Sequence, residues 1–172
     1  INGLLTLFNN SVLTQDWHPA GHSSFASSHD GSQPFSSIQM PYGAQTLWPD
    51  HCIQNSSGAE FHPDLNTSAA QAIIRKGYRR EIDSYSAFFE NDGKTKTGLQ
   101  GWLTTKQISS VYLAGLATDY CVAYSALDAA GLGFDVTVLL PACRGIDLDG
   151  SLSLQLDKMS QAGITLLEKL PE

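Results

Sequence analysis

The sequence lacks several features that would place it in a common class of proteins. Its three cysteines, an odd number without regular spacing, do not make a disulfide framework. There are 10 lysines and arginines against 17 acidic residues, a net charge of −7, and no basic stripe favours nucleic acid or an anionic membrane as a partner. No apolar run is long enough to span a membrane and no signal peptide is visible, so we expect a protein of the reducing cytoplasm.

The features that are present are alternating strand and helix patterns. The 172 residues, 42% of them hydrophobic, are enough to bury a core, and we expect 1–172 to be a single domain. Strands are predicted at 11–18, 111–116, 135–140 and 164–167, and helices at 1–8, 65–75, 98–107, 122–130 and 149–162. The connection over 19–63 is so long that an ordered, functional loop is favoured. The alternation predicts a three-layer αβα fold with a mainly parallel sheet.

The stretch 111–131 gives the strongest indication of a reactive group. A buried strand pattern is followed by Thr118 and Asp119, both good N-cap residues, and then by a helix pattern that stops at Gly131. Cys121 therefore falls in the first helical turn beyond the carboxyl end of a strand, where open α/β sheets bind ligands. Unpaired N–H groups and the helix dipole there favour an anion, so we expect a lowered thiol pKa and a nucleophile. The alternative is a small buried cysteine that only fills the core.

A second group of residues has the composition of a metal site. Asp16 and His18 are two residues apart near the end of a predicted strand, so their side chains point the same way. With His51 from the long loop, they suit zinc, iron or manganese better than calcium or magnesium. The alternative is a set of hydrogen-bonding loop residues. His29 and His62 stand alone, and we expect them to be structural or exposed.

Four further residues have two interpretations each. Lys76 is by default a solvated surface lysine, and it would have a role only if a site formed around it. Trp48 could pack in the core or form one wall of a flat pocket for a ring-shaped substrate. Cys52 and Cys143 are by default small core or loop residues, although either could be a second thiol near the site.

A series of motifs occurs in the order found in one known family. They are Thr14-Gln-Asp-Trp-His-Pro19 with His22-Ser-Ser-Phe25, Leu47-Trp-Pro-Asp-His-Cys52, Gly58-Ala-Glu-Phe-His-Pro63, Lys76-Gly77, Asp83-Ser-Tyr-Ser-Ala-Phe-Phe89, Gly115-Leu-Ala-Thr-Asp-Tyr-Cys-Val122 and Cys143-Arg-Gly145. The Trp-Pro-x-His-Cys and Gly-x-Ala-Thr-Asp-x-Cys-Val pieces are specific in combination. On these motifs the chain resembles the nicotinamidase/pyrazinamidase group of the isochorismatase-like cysteine hydrolases, and the resemblance covers nearly the whole chain.

The resemblance implies a cysteine amidohydrolase that converts nicotinamide to nicotinate and ammonia in NAD salvage, and pyrazinamide to pyrazinoate. Cys121 would form a thioester with the substrate carbonyl carbon, and Lys76 would stabilise the thiolate or the tetrahedral intermediate. The Leu116–Ala117 peptide would be cis, and the N–H groups of Ala117 and Cys121 would form the oxyanion hole.

The resemblance also implies a metal ion and a ring pocket. One divalent ion, with zinc the first expectation and iron or manganese the alternatives, would be held by Asp16, His18 and His51. His22 is a ligand in only some members of the family. Trp48 and Tyr85 would line the pocket for the ring of the small-molecule substrate. The preference between nicotinamide and pyrazinamide, and the choice between monomer and homo-oligomer, stay open.

The sequence departs from the family at one important element. The family's catalytic aspartate lies in a Val-Ile-Asp-x-Gln-Asn-Asp-Phe-like segment at the end of the first strand, and the residues here match the family from the following helix onward. We therefore expect the chain to be N-terminally incomplete, to lack that strand, and to be poorly folded and inactive as 1–172 alone.

Two other functions remain as alternatives. A relative with another substrate, such as an isochorismatase or an amidase acting on carbamoyl groups, would generally lack the metal set of Asp16, His18 and His51. A catalytically inactive metal-binding paralogue is favoured only by the missing aspartate. Dinucleotide binding and zinc-dependent deamination are disfavoured, because no Gly-x-Gly-x-x-Gly follows a predicted strand and no Pro-Cys-x-x-Cys element occurs.

Overall fold

The computed structural model of the protein describes residues 1–171, which form four α-helices and seven β-strands. The helices are α1 (Asn2–Leu5), α2 (Leu99–Thr105), α3 (Ala123–Gly131) and α4 (Ser151–Gln161). The strands are β1 (Val12–Asp16), β2 (Ser37–Met40), β3 (Gly43–Thr46), β4 (Ala72–Lys76), β5 (Ser110–Leu116), β6 (Asp135–Arg144) and β7 (Thr165–Leu167). Among the described residues, no helix combines the length and the apolar character needed to cross a membrane.

The parallel strands form two groups. β1 pairs with β4, with Val12 opposite Ala72 and Asp16 opposite Lys76. β6 lies between β5 and β7 and pairs in parallel with both. A cleft of about 510 Å³ is lined by residues of both β1 and β5, and Cys121 is one of its lining residues. The expected α/β fold with parallel strands and helices is confirmed.

The prediction of a helix over 65–75 is wrong. The chain there makes only a 3-10 turn over Thr67–Ala69 before it enters β4. Ile73 and Ile74 have the β-branched side chains that strands favour, and they alternate, with Ile73 exposed and Ile74 packed against the core. The preceding alanines resemble a helix pattern, but pairing with β1 outweighs this weak local preference and places Lys76 at the end of a strand.

The long connection that follows β1 is ordered and contains an antiparallel hairpin, β2 and β3, which the sequence patterns did not predict. Backbone hydrogen bonds tie this connection to β1 and to itself. The N–H of His18 donates to the carbonyl of Cys52 at 3.0 Å, and the N–H of Trp48 donates to the carbonyl of Ser24 at 2.8 Å. These bonds bring His51 and Trp48 to the carboxyl end of β1.

The loop predicted for 141–145 is also wrong, because β6 continues to Arg144. The pairing of β6 with β5 shifts register between Leu113 and Gly115. Pro141 lies in the part of β6 between these two registers, where no pairing with β5 is formed. This position suits proline, which has no N–H to donate to a neighbouring strand.

Small side chains allow α3 to pack closely in the core. Ala123, Ala126 and Ala129 have no exposed surface and belong to the same buried cluster as Val138 of β6. This packing fixes the start of α3, and Cys121 lies in the turn just before it.

Candidate active site

Lys76 is a buried cation at the centre of the site rather than the surface lysine that is its default interpretation. Its side chain ends at the carboxyl ends of β1 and β4, where the ammonium forms an ion pair with Asp16. The same Nζ donates to the carbonyl oxygen of Ser84 at 2.8 Å and to Sγ of Cys121 at 3.2 Å. Burial opposes the charged form, but the negative charge of Asp16, together with Cys121 and Asp83, outweighs burial and raises the pKa of Lys76. The ammonium therefore stays charged, with each of its three hydrogens directed at a partner.

The Cys121 thiol has a higher pKa than the sequence predicts. The expectation was that the start of a helix would lower this pKa, but burial raises it, and the neighbouring Lys76 only partly offsets the effect of burial. The resting side chain is therefore a protonated thiol. Lys76 acts in the opposite direction to burial and therefore favours the thiolate form of Cys121.

The turn before α3 differs from the N-cap predicted at Thr118 and Asp119. Neither the Thr118–Val122 turn nor α3 has a side-chain cap at its first residues, so that prediction is wrong. The carboxylate of Asp119 accepts hydrogen bonds from the N–H groups of Ile146 at 2.9 Å and Asp147 at 2.8 Å, and another from the Ser151 hydroxyl. Asp119 thereby ties the cysteine-bearing turn to the connection between β6 and α4.

The strand that precedes Cys121 ends in the expected cis peptide between Leu116 and Ala117. The carbonyl of Ala117 accepts hydrogen bonds from the N–H groups of Tyr120 at 3.2 Å and Val122 at 3.0 Å, which wind the chain into a wide helical turn. Ala117 and Cys121 lie at the N-terminal end of the continuous helical segment, where N–H groups are available to an anion.

Asp16, His18 and His51 come together as the composition of the sequence suggests. One ligand atom from each lies within 4.8 Å of the other two. Nδ1 of His18 lies 2.8 Å from the carbonyl oxygen of Gly77, and Nδ1 of His51 lies 2.9 Å from that of Pro49. A carbonyl only accepts, so Nδ1 carries the proton in both rings and Nε2 keeps a free lone pair. Burial lowers the pKa of His18 to about 4, which keeps the ring neutral. The donor set and its tautomers fit a divalent transition metal.

His22 lies beside the metal ligands but is held as a structural residue. Its Nε2 lies 2.9 Å from the carbonyl oxygen of Arg79 and 3.2 Å from that of Ile82, so this nitrogen carries the proton. Its Nδ1 lies 2.8 Å from the hydroxyl of Ser24, which can donate to it. Both ring nitrogens are thus engaged, and His22 instead fastens the loop after β1 to the segment after β4.

Three aromatic rings, one of them on the residue directly before Cys121, pack against one another. Trp48 and Tyr85 lie with ring centroids 6.2 Å apart at 83°. Tyr120 lies between them, 4.8 Å from Trp48 and 5.4 Å from Tyr85, in edge-on contacts. Tyr120 was missed at the sequence level, although its position directly before Cys121 was the available signal. The rings are an apolar, aromatic surface suited to a flat heterocycle.

A buried hydrogen-bond network contacts two of these rings, those of Tyr85 and Trp48. The central residue of the network is Gln45 on β3, which is 0% exposed. Nε2 of Gln45 donates to the hydroxyl of Tyr85 at 2.9 Å and to the carboxylate of Asp83 at 3.0 Å. The indole N–H of Trp48 donates to the same Tyr85 hydroxyl at 3.2 Å. Oε1 of Gln45 accepts from the side-chain amide of Asn91 at 3.1 Å. Sequence patterns gave no signal for Gln45, because the hairpin that carries it was not predicted.

Comparisons with known proteins find a matching family model and several similar proteins. Residues 17–169 match the family model of the isochorismatase domain. A nicotinamidase of Acinetobacter baylyi is 52% identical over 164 residues, which cover 95% of this chain and 77% of that protein. A solved nicotinamidase/pyrazinamidase of Acinetobacter baumanii superposes with a TM-score of 0.95 at 55% identity, covering 96% of this chain and 80% of that one. A pyrazinamidase of Pyrococcus horikoshii solved in complex with zinc has a TM-score of 0.75 at 32% identity, covering 98% of this chain and 82% of that one.

Proposed function

The chain belongs to the isochorismatase family, and from this membership we propose that it is an amidohydrolase that converts nicotinamide to nicotinate and ammonia, and pyrazinamide to pyrazinoate. The single observation that carries the proposal is the 3.2 Å contact between the Lys76 ammonium and the sulfur of Cys121, beside the cluster of Asp16, His18 and His51. A buried cation on a thiol is the arrangement that nucleophilic cysteines need.

The first half of the reaction forms a covalent intermediate on Cys121. The sulfur attacks the carboxamide carbon, a C–S bond forms, and the carbonyl π electrons move onto oxygen. The N–H groups of Ala117 and Cys121 would donate to this oxyanion. Lys76 stabilises the thiolate before attack and lies close to the negative charge that develops afterwards.

The second half releases the products and restores the thiol. As the tetrahedral intermediate collapses, its C–N bond breaks, and the nitrogen leaves as ammonia with the proton that the thiol gave up. Water then adds to the thioester, the C–S bond breaks, and nicotinate leaves while the sulfur is reprotonated. The family resemblance assigns the transfer of these protons to the aspartate of the Val-Ile-Asp segment.

Asp16, His18 and His51 would hold one divalent ion, and we propose zinc. Support comes from the mixed oxygen and nitrogen donor set, from the two Nδ1–H groups that leave Nε2 free, and from the zinc in the Pyrococcus horikoshii pyrazinamidase structure. When bound, the ion would supply a Lewis acid for a ring nitrogen of the substrate and for water. Trp48, Tyr85 and Tyr120 would offer aromatic contacts to the ring of the substrate.

Two features argue against the alternatives. A family member for a different substrate would not need Asp16, His18 and His51 in one cluster. An inactive metal-binding paralogue would not need Lys76 buried against Cys121. We expect the enzyme to work in the cytoplasm, where its three free cysteines would stay reduced.

The test is the release of nicotinate and ammonia from nicotinamide by the purified, zinc-loaded protein, expressed from a start codon upstream of Ile1 so that the family's first strand is included. This extended protein is the wild type of the comparison. Wild type should release the two products in equal amounts, and Cys121→Ala should release neither. Cys143→Ala is the matched control, since it removes a buried thiol that lies in the hydrophobic core. A folded, zinc-loaded wild type with no turnover would favour the inactive paralogue, and full activity in Cys121→Ala would rule out the thioester route.

A further inference from the structure

Two consecutive residues, Lys76 and Gly77, connect Cys121 with the proposed metal ligands. Lys76 sends its side chain to Cys121, while its carbonyl accepts the N–H of Trp17 at 2.9 Å. The next carbonyl, that of Gly77, accepts Nδ1–H of His18 at 2.8 Å. The contact between β1 and β4 thus continues beyond the ends of both strands. There the side chain of His18, a member of the metal cluster, takes the place of a backbone N–H.

Gly77 also lies in close contact with the His18 ring. A Cβ added at Gly77 would lie 2.3 Å from Cε1 and 2.6 Å from Nδ1 of His18, well inside van der Waals contact. The φ angle of Gly77 is +62°, a conformation that glycine adopts more readily than other residues. Both observations require glycine here, but only the first involves the metal cluster.

The His18 ring has little freedom to move away from an added methyl group. It is 2% exposed, and it packs against the rings of His22, His51 and Phe25 at centroid distances of 4.4, 4.8 and 5.5 Å. Displacement of the ring would break the hydrogen bond to Gly77 and turn Nε2 away from the side chains of Asp16 and His51.

We propose that Gly77 is a positioning residue for the metal site, acting through His18. Its carbonyl fixes the tautomer and the orientation of the imidazole, and its missing side chain leaves the space that the ring occupies. Because Gly77 directly follows Lys76, the same turn sets the metal ligand and the cation that contacts Cys121. This inference rests on the proposed metal-dependent function, and it is tested by metal affinity rather than by turnover.

The experiment compares Gly77→Ala with Gly163→Ala in the protein extended upstream of Ile1. Gly163 has a similar φ of +77° but open space where a Cβ would stand, so Gly163→Ala reproduces the backbone strain without a clash. Zinc affinity is measured by competition with a chromogenic chelator. We expect Gly77→Ala to bind zinc at least about tenfold more weakly than wild type, the usual effect of losing an outer partner of a metal ligand, and Gly163→Ala to bind as wild type does.

A double-mutant cycle separates action through His18 from a general structural role. His18 is itself a proposed ligand, so the cycle is measured by the free energy of unfolding of the zinc-free protein. Gly77→Ala should lower this free energy in wild type and should lower it far less in a His18→Ala background, where the clash and the hydrogen bond are both gone. If Gly77→Ala alone does not fold, the His18→Ala/Gly77→Ala protein should recover a cooperative thermal transition, because the added methyl group then has room.

Three results would overturn the inference. Equal zinc affinity in Gly77→Ala and Gly163→Ala would contradict the role of Gly77 but not the proposed metal site. An equal loss of stability from Gly77→Ala in wild type and in the His18→Ala background would show that Gly77 does not act through His18. A folded wild type that binds no zinc at all would remove both the proposed metal site and the role of Gly77.

Discussion

The ammonium of Lys76 and the sulfur of Cys121 lie 3.2 Å apart, although the two residues are 45 positions apart in the chain. The contact exists because β4 ends beside β1 and the turn before α3 reaches the same edge of the structure. Lys76 is buried and Cys121 is partly buried, so less water screens their interaction than at an exposed site. The thiol that burial keeps protonated thus has beside it a cation that favours its ionisation.

Replacing Lys76 with methionine should therefore slow the enzyme by roughly 10²–10³-fold in kcat/KM, the range expected for loss of a preorganised electrostatic partner. Burial raises the pKa of Cys121 and Lys76 lowers it, so removing the ammonium should raise that pKa further. The measurement is the pH dependence of Cys121 alkylation by iodoacetamide, whose midpoint should move to higher pH. Lys106→Met, at an exposed position, is the control. An unchanged midpoint in folded Lys76→Met would contradict the electrostatic role.

Replacing Gln45 with methionine tests whether the buried network sets the ring pocket. Methionine keeps the length of the side chain but removes the N–H donors to Tyr85 and Asp83 and the acceptor for Asn91. We expect the KM for nicotinamide to rise by about tenfold with a smaller change in kcat. We also expect a loss of about 1–3 kcal/mol in the free energy of unfolding, because buried polar groups lose their partners.

The matched control for this variant is Gln39→Met on β2, the other strand of the hairpin, where the side chain is exposed. Both effects should be absent there. If Gln45→Met lowered stability but left KM unchanged, the network would support the fold without shaping the pocket.

The sequence predicted the parts of the site that follow from local pattern. Cys121 is recognisable because a buried strand leads into a helix, and Asp16 and His18 because they alternate on a strand. Lys76 is different: nothing near it in the chain predicts that β4 will pair with β1 and bury its ammonium. The alanine-rich run before β4 even favours a helix, and only the long-range pairing decides against it.

Sequence patterns also fail to predict functional residues for a second reason, as seen for Gln45, Tyr120 and Gly77. Their roles depend on contacts between segments distant in sequence: Gln45 with Tyr85, Tyr120 with Trp48, and Gly77 with His18. A one-dimensional pattern contains no such distances. The fold class could be predicted because it depends on the order of elements, whereas these contacts depend on how the elements pack.

Glu90 should make the stability of the protein fall as the pH rises. The side chain is 2% exposed and its Oε1 lies 3.1 Å from the guanidinium of Arg79. Burial raises the pKa of Glu90 from 4.5 to about 7, although Arg79 acts in the opposite direction. Because the folded state holds the proton more tightly than the unfolded state, the stabilisation is complete below the unfolded pKa and is lost as the pH rises through the folded one.

Glu90→Gln should remove this pH dependence while keeping an oxygen for Arg79. Relative to wild type, the variant should gain about 2–3 kcal/mol in the free energy of unfolding between about pH 5 and 8, measured by urea denaturation. Glu81→Gln, which removes a carboxylate from an exposed position nearby in the chain, is the comparison. A constant difference between Glu90→Gln and wild type over this range would contradict a raised pKa in the folded protein.

Zinc should stabilise the folded protein through His51, because the unfolded chain does not hold Asp16, His18 and His51 together. A free zinc concentration 100 times the dissociation constant should add about 2.7 kcal/mol to the free energy of unfolding, seen as a higher Tm that a chelator reverses. His51→Ala should lose most of this zinc-dependent increase, since the remaining two ligands bind a metal much more weakly. His62→Ala removes an exposed imidazole outside the cluster and should keep the increase. Equal zinc-dependent shifts in the two variants would place the bound metal somewhere other than this cluster.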